Sequence, residues 1–260
     1  MSYIDILNEK KADINVFYKT VGNLKLPLQV FLPCDFKETN KYKTIIAIHG
    51  GGWNSLKETP VKWDGGWMAN NVKYYTEKGY VGIVFSYRDL HYEKNGDVGD
   101  ILNDCRDALQ YILINFPFLD NENILFMGDS AGGHLALCLG MNLPDDTNSA
   151  IKPKRIAAYN PVTDCVSEKW SYCADDAKKY SPMHNIKPID ADVLVMHGTA
   201  DTVVSIEDSR LFTEKMKAVG NNVSMIEIPD ANHAFILFGY TAEEKDILKA
   251  LELMDEHFNL

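Results

Sequence analysis

The 260-residue sequence is short of positive charge: 26 lysines and arginines stand against 37 aspartates and glutamates, a net charge of −11. A surface this acidic repels phosphate backbones and anionic lipid, so neither nucleic acid nor membrane is expected as a partner. Nowhere do eighteen apolar residues run together, so no segment is expected to span a bilayer. The first stretch, MSYIDILNEKKADINVFYKT, lacks a basic start, an apolar centre and a small-residue cleavage site. That argues against a secretory signal and for a cytoplasmic protein. Cysteine is sparse: Cys34, Cys105, Cys138, Cys165 and Cys173, with no C-x-x-C. An odd count without paired spacing reads as reduced thiols acting as small buried hydrophobes, Cys165 and Cys173 being the pair close enough in sequence to bridge.

Metal-site patterns are missing too. There is no H-E-x-x-H, no Cys/His cluster and no EF-hand loop, so neither a metal nor another cofactor is expected. Asp100, Asp104 and Asp107 share a helical face, which reads as solvated helix-start charge rather than a cation site. No repeat and no Gly/Ser/Pro-rich linker interrupts the chain, so residues 1–260 read as one domain. With 46% hydrophobic residues, a chain of this length can bury a core without disulfides. The sequence is compatible with a homo-oligomer and does not require one.

What is present alternates. Asp13–Thr20 and Leu26–Leu32 are β-rich and flank a turn at Val21–Gly22–Asn23, an antiparallel hairpin. Thr44–Ile48 is a short apolar run suited to a strand buried on both faces. Helices fit Met68–Lys78, Val98–Asn115, Ala131–Met141, Ile206–Val219 and Ala242–His257. Strands fit Tyr80–Ser86, Ile124–Met127, Arg155–Tyr159, Val193–His197 and Val223–Ile228. Such alternation predicts an α/β class: a mostly parallel central sheet, helices on both faces, and the N-terminal hairpin at one edge.

Two glycine-rich turns carry chemistry. Gly128-Asp129-Ser130-Ala131-Gly132 is a G-x-S-x-G between a predicted strand and an Ala/Leu-rich helix, where chance alone gives roughly 0.05 matches in this composition. A turn so tight needs small flanking residues and lifts the serine hydroxyl to a helix N-terminus, where negative charge is favoured. His49-Gly50-Gly51-Gly52-Trp53 follows the strand Thr44–Ile48, against a chance expectation of roughly 0.002. Successive glycines free backbone N–H groups to converge on one oxygen. The N–H groups of Gly51, Gly52 and Ala131 are therefore the candidate oxyanion hole. The loop lacks the Gly-Lys-Ser/Thr ending of a phosphate cradle. His49 reads as a brace for the loop rather than a base.

A serine nucleophile needs a base, and the base an orienting acid. Asp201 follows the strand Val193–His197, and His233 follows Val223–Ile228. Both fall past strand ends, in the order Ser, Asp, His. Ser130, Asp201 and His233 are thus the candidate catalytic residues. His197 at a strand end and His134 inside a helix read as structural, and His91, His184 and His257 lie near no motif.

In these residues the sequence resembles the α/β-hydrolases, and among them the hormone-sensitive-lipase-like esterases. HGGGW at 49–53, GDSAGG at 128–133, HGTADTVV at 197–204 and PDANHAF at 229–235 carry the resemblance, which extends over nearly all the chain from about residue 26. It implies an α/β-hydrolase fold and a serine carboxylesterase acting on short-chain, acetyl-type esters, with a small-molecule or oligosaccharide ester of a carbohydrate or polyol as substrate. A feruloyl esterase, or an aryl formamidase or other amide hydrolase with the same triad, is the alternative. Family members carry a helical cap before the HGGG loop. Here only 48 residues precede His49, so no large cap is expected. Trp53 at the end of the glycine loop, Trp63 and Trp67 from the segment 54–67, and Trp170 from the segment 164–182 are the candidate substrate contacts, the two segments being expected to cover the site.

Overall fold

A computed structural model describes residues 10–54, 66–90, 92–144, 149–237 and 242–260. Trp63 and the side chain of Trp67 lie outside the described residues. The strands are β1 (Ile14–Val21), β2 (Leu24–Phe31), β3 (Tyr42–Ile48), β4 (Val81–Phe85), β5 (Leu119–Asp129), β6 (Arg155–Tyr159), β7 (Asp192–Gly198) and β8 (Val223–Ile228). The helices are α1 (Gly66–Thr76), α2 (Val98–Asn115), α3 (Ala131–Gly140), α4 (Ile206–Ala218) and α5 (Glu244–Phe258).

The strands form one sheet in the order β1-β2-β4-β3-β5-β6-β7-β8. Pairing is antiparallel at β1–β2 and β2–β4 and parallel from β4 through β8. This is the α/β-hydrolase fold, with the expected hairpin at its edge. Apolar runs explain the layers. In β3, Ile46 and Ile48 pack into a core shared with α2 and α3, while Ile45 and Ala47 pack on the opposite face with α1 and α5. A strand covered on both sides has no solvent-facing residue to make polar, hence the continuous TIIAI.

Helix α2 shows the local logic most clearly. Asp97 caps it by accepting the Gly99 N–H at 2.8 Å, and the Asp100 carboxylate reaches back to the Asp97 N–H. Ile101, Leu102, Cys105, Ala108, Leu109 and Ile112 then form its buried stripe. Asp104 departs from expectation. It is fully buried, bonded by Arg88 through Nε at 2.7 Å and Nη2 at 2.8 Å, and by Lys19 Nζ at 2.6 Å. A cation on β1 and another beyond β4 turn what reads as a solvated position into a buried ion pair.

All five cysteines are free, so Cys165 and Cys173 form no bridge; four are buried, and Cys34 is exposed. Among the described residues no helix is long and apolar enough to cross a membrane.

Candidate active site

Parallel strands β3, β5, β7 and β8 end on one edge of the sheet, and the loops leaving them gather the polar residues picked out by the motifs. Ser130 occupies the turn from β5 into α3 with φ 52° and ψ −119°, a backbone state costly for a residue with a Cβ. The turn is over-determined. The Ser130 N–H donates to the Tyr159 carbonyl at 2.8 Å, and the His134 N–H donates to the Ser130 carbonyl at 3.0 Å. A Cβ on Gly132 would sit 2.1 Å from the Ile48 carbonyl oxygen, so only glycine lets α3 start this close to β3.

His233 Nε2 lies 3.0 Å from Ser130 Oγ, and its Nδ1 lies 2.7 Å from Asp201 Oδ2. The structure therefore joins three residues spread over 103 positions into one hydrogen-bonded chain. Asp201 Oδ1 accepts the N–H groups of Val203 at 2.7 Å and Val204 at 2.9 Å. Burial pushes the Asp201 carboxyl up, but hydrogen bonds from His197, His233 and the Val204 N–H outweigh it and hold the group well below the usual carboxylate range. An anionic Asp201 requires the proton on His233 Nδ1, which leaves Nε2 free to accept from the serine.

The glycine loop is braced from beneath. Tyr87 Oη donates to the His49 carbonyl at 2.7 Å, and the His49 ring stacks on Tyr87 at 4.2 Å. Burial drives the His49 imidazole down to about 4, so it is a neutral strut at physiological pH. The Gly50 N–H is engaged by Asp129 Oδ1 at 2.9 Å. That leaves Gly51 (φ 96°) and Gly52 (φ 63°) to present their amides. Burial raises the Asp129 carboxyl to about 6, against the Gly50 hydrogen bond and the proximity of His233.

A cavity of about 360 Å³ opens over the serine. Gly50, Gly51, Gly52, Ser130 and His233 line it with Met68, Trp170, Val203, Ala234 and Leu237. Trp170 comes from the segment between β6 and β7, which also forms three short 3-10 turns (Ser171–Cys173, Ala177–Tyr180, Pro182–His184). Trp53, expected to touch substrate, is not among the residues that line the cavity. It is fully buried, and its Nε1–H donates to His134 Nδ1 at 3.1 Å, while His134 Nε2 faces the Tyr180 carbonyl at 2.8 Å. The indole holds the glycine loop to α3 instead of facing substrate, and His134 bridges the indole to the Tyr180 carbonyl. Met68, Val203, Ala234 and Leu237 escaped the sequence reading, which had no signal for them beyond apolar character close to a motif. A larger cavity, about 640 Å³, lies beside Lys154, Lys187 and Asp190 at the amino-terminal ends of β6 and β7. Its described lining holds no serine–imidazole pair, so size is the poorer guide to chemistry.

Comparisons with known proteins point to the same fold. A model of the BD-FAE family matches residues 28–154, and one of the Prolyl oligopeptidase family matches residues 167–260. The uncharacterized protein YfhR of Salmonella typhi is 26% identical over 218 residues, 78% of this chain and 68% of that protein. Inactive dipeptidyl peptidase 10 of Rattus norvegicus is 23% identical over 241 residues, but the chain spans only 29% of it. Esterase 2 of Thermogutta terrifontis superposes with a TM-score of 0.81 at 29% identity, covering 95% of this chain and 94% of that one. That esterase is also known with propionate bound, with butyrate bound and phosphorylated by paraoxon. The chain is a serine esterase of the α/β-hydrolase fold.

Proposed function

We propose that the chain is a carboxylesterase that removes short acyl groups, acetyl foremost, from a carbohydrate or other polyol, by way of an acyl-enzyme on Ser130. The observation that carries the reading is the Ser130–His233–Asp201 chain opening into a small, largely apolar cavity. His233 Nε2 takes the Ser130 proton as Oγ attacks the acyl carbonyl. The N–H groups of Gly51, Gly52 and Ala131 receive the oxyanion, and the imidazolium then protonates the departing alcohol. Water, deprotonated by the same nitrogen, attacks the acyl-enzyme and frees Ser130 and the acid. Asp201 holds the tautomer throughout.

The wall of Met68, Val203, Ala234 and Leu237 suits a few methylenes and offers an acyl chain no hydrogen-bond donor. The propionate and butyrate complexes of the Thermogutta esterase support a short acyl chain. For the alcohol, Trp170 and the half-exposed Tyr172 meet at 6.3 Å between ring centres, and the Tyr172 hydroxyl approaches Gly52. An aromatic surface with a polar tip suits the face of a sugar. The test is a p-nitrophenyl ester series from acetyl to decanoyl, run beside acetylated xylo-oligosaccharides, methyl ferulate and N-formylated aryl amines. Expected are a maximum of kcat/KM at acetyl to butyryl and release of acetate from the oligosaccharide. A maximum at decanoyl would overturn the acyl assignment. Faster turnover of methyl ferulate or of the formamide would move the alcohol assignment to an aryl group or an amide.

A further inference from the structure

The triad carboxylate has a second imidazole. His197, on β7, lies with its Nε2 3.2 Å from Asp201 Oδ2, the same oxygen that accepts from His233, and both side chains are fully buried. Nε2 also faces the Val204 carbonyl at 3.2 Å. Two acceptors on one side require a proton on Nε2. The other nitrogen, Nδ1, lies 2.8 Å from the hydroxyl of Ser209, fully buried on α4. With Nε2 protonated, that hydroxyl donates to Nδ1. We infer that His197 is a positioning residue for the esterase reaction, holding Asp201 Oδ2 in line with His233, and that Ser209 fixes the His197 tautomer. The inference rests on the role of Ser130, His233 and Asp201 proposed above.

His197 and His233 compete for a single oxygen, Asp201 Oδ2. Asp201 Oδ1 is saturated by the Val203 and Val204 amides, so rotation of the carboxylate is opposed at one oxygen by backbone and at the other by His197. An N–H dipole aimed at Oδ2 also draws charge away from the bond to His233. Without it, Oδ2 would hold the His233 imidazolium more strongly. Other charges face His197: Asp201 and His233 from the loops, Asp208 from α4, and Glu227, its cross-strand partner on β8. Asp208 and Glu227 remain in every variant below, so a displaced acid limb reports the bond to Asp201.

The experiment measures kcat and KM for p-nitrophenyl acetate from pH 5 to 9 in wild type, His197→Leu, His197→Gln, Ser209→Ala and Ser130→Ala. His197→Leu is expected to lose about 10- to 100-fold in kcat, the scale of a misplaced catalytic group, with KM held within about two-fold. Its acid limb is expected to move toward higher pH. His197→Gln, which keeps an N–H to give, recovers most of the loss and restores the limb. Ser209→Ala moves the limb in the same direction by less. A folded His197→Leu with wild-type kcat and an unmoved limb would overturn the inference, as would equal losses in the Leu and Gln variants. If His197→Leu does not fold, an unmoved limb in Ser209→Ala does the same. Full activity in Ser130→Ala would instead remove the proposed reading on which the inference stands.

Discussion

Ser130, His233 and Asp201 are each unremarkable in composition, and what distinguishes them is the company that the fold imposes. At this scale the sequence is legible where a motif constrains the backbone. G-x-S-x-G can be placed because Gly132 has no room for a Cβ, and Asp201 and His233 because they follow strand ends in a set order. Legibility fails where a residue's direction matters. Nothing in HGGGW says that Trp53 turns inward to His134, since burial and substrate contact favour the same indole. The consequence is testable. Trp53→Phe keeps the ring volume in part but leaves His134 Nδ1, in a dry site, without a donor. It is expected to lower unfolding free energy by about 1–3 kcal/mol, the desolvation cost of one unmet buried acceptor. Because the indole does not line the cavity, KM should change little. A urea titration beside a KM measurement checks both, and a raised KM without loss of stability would return Trp53 to the substrate.

Among elements, the boundaries of α2, β6 and β8 fall where the sequence places them, because periodicity and caps agree there: Asp97 and Asp100 close the first turn of α2 before its apolar stripe begins. β5 is longer than expected, starting at Leu119, since the polar run Asp120–Asn123 parts that leucine from the apolar stretch that follows. Asp104 shows why spacing alone misjudges charge. Its helical face turns toward β1 and the end of β4, which supply Lys19 and Arg88. Removing one partner of a buried pair strands the other, so Asp104→Ala is expected to cost about 3–5 kcal/mol. Replacing the exposed neighbour, as Asp107→Ala, should stay within about 1 kcal/mol. Thermal or urea unfolding of the two variants separates these cases, and equal effects would show that burial does not matter at Asp104.

For the whole molecule, buried titratable groups link stability to pH. Burial drives His49 and His134 down to about 4 from an ordinary 6.5, so each takes a proton on unfolding between those values. Their contribution is complete above pH 6.5 and is lost as pH falls toward 4. Asp129 works the other way: raised from 3.8 to about 6, it favours the folded state as pH falls through that window. Two histidines against one carboxyl leave a net uptake of one proton. Unfolding free energy should then fall by about 1.4 kcal/mol per pH unit across the middle of the window. Below it, Asp201, held under its ordinary value, adds its own loss. Urea titrations from pH 7 to 4 measure the slope, and stability that is flat or rises over that range would contradict it.

The proposed reaction turns on Ser130 as the nucleophile, activated by His233 and Asp201. Paraoxon reacts with such a serine by forming an Oγ–phosphorus bond and expelling p-nitrophenolate. The most direct measurement is peptide mass mapping after paraoxon treatment, followed in parallel with esterase activity. A diethyl phosphate is expected on the peptide bearing Ser130, appearing in step with the loss of activity and absent from Ser130→Ala. Complete inhibition with Ser130 unmodified, or the adduct on another residue, would contradict it.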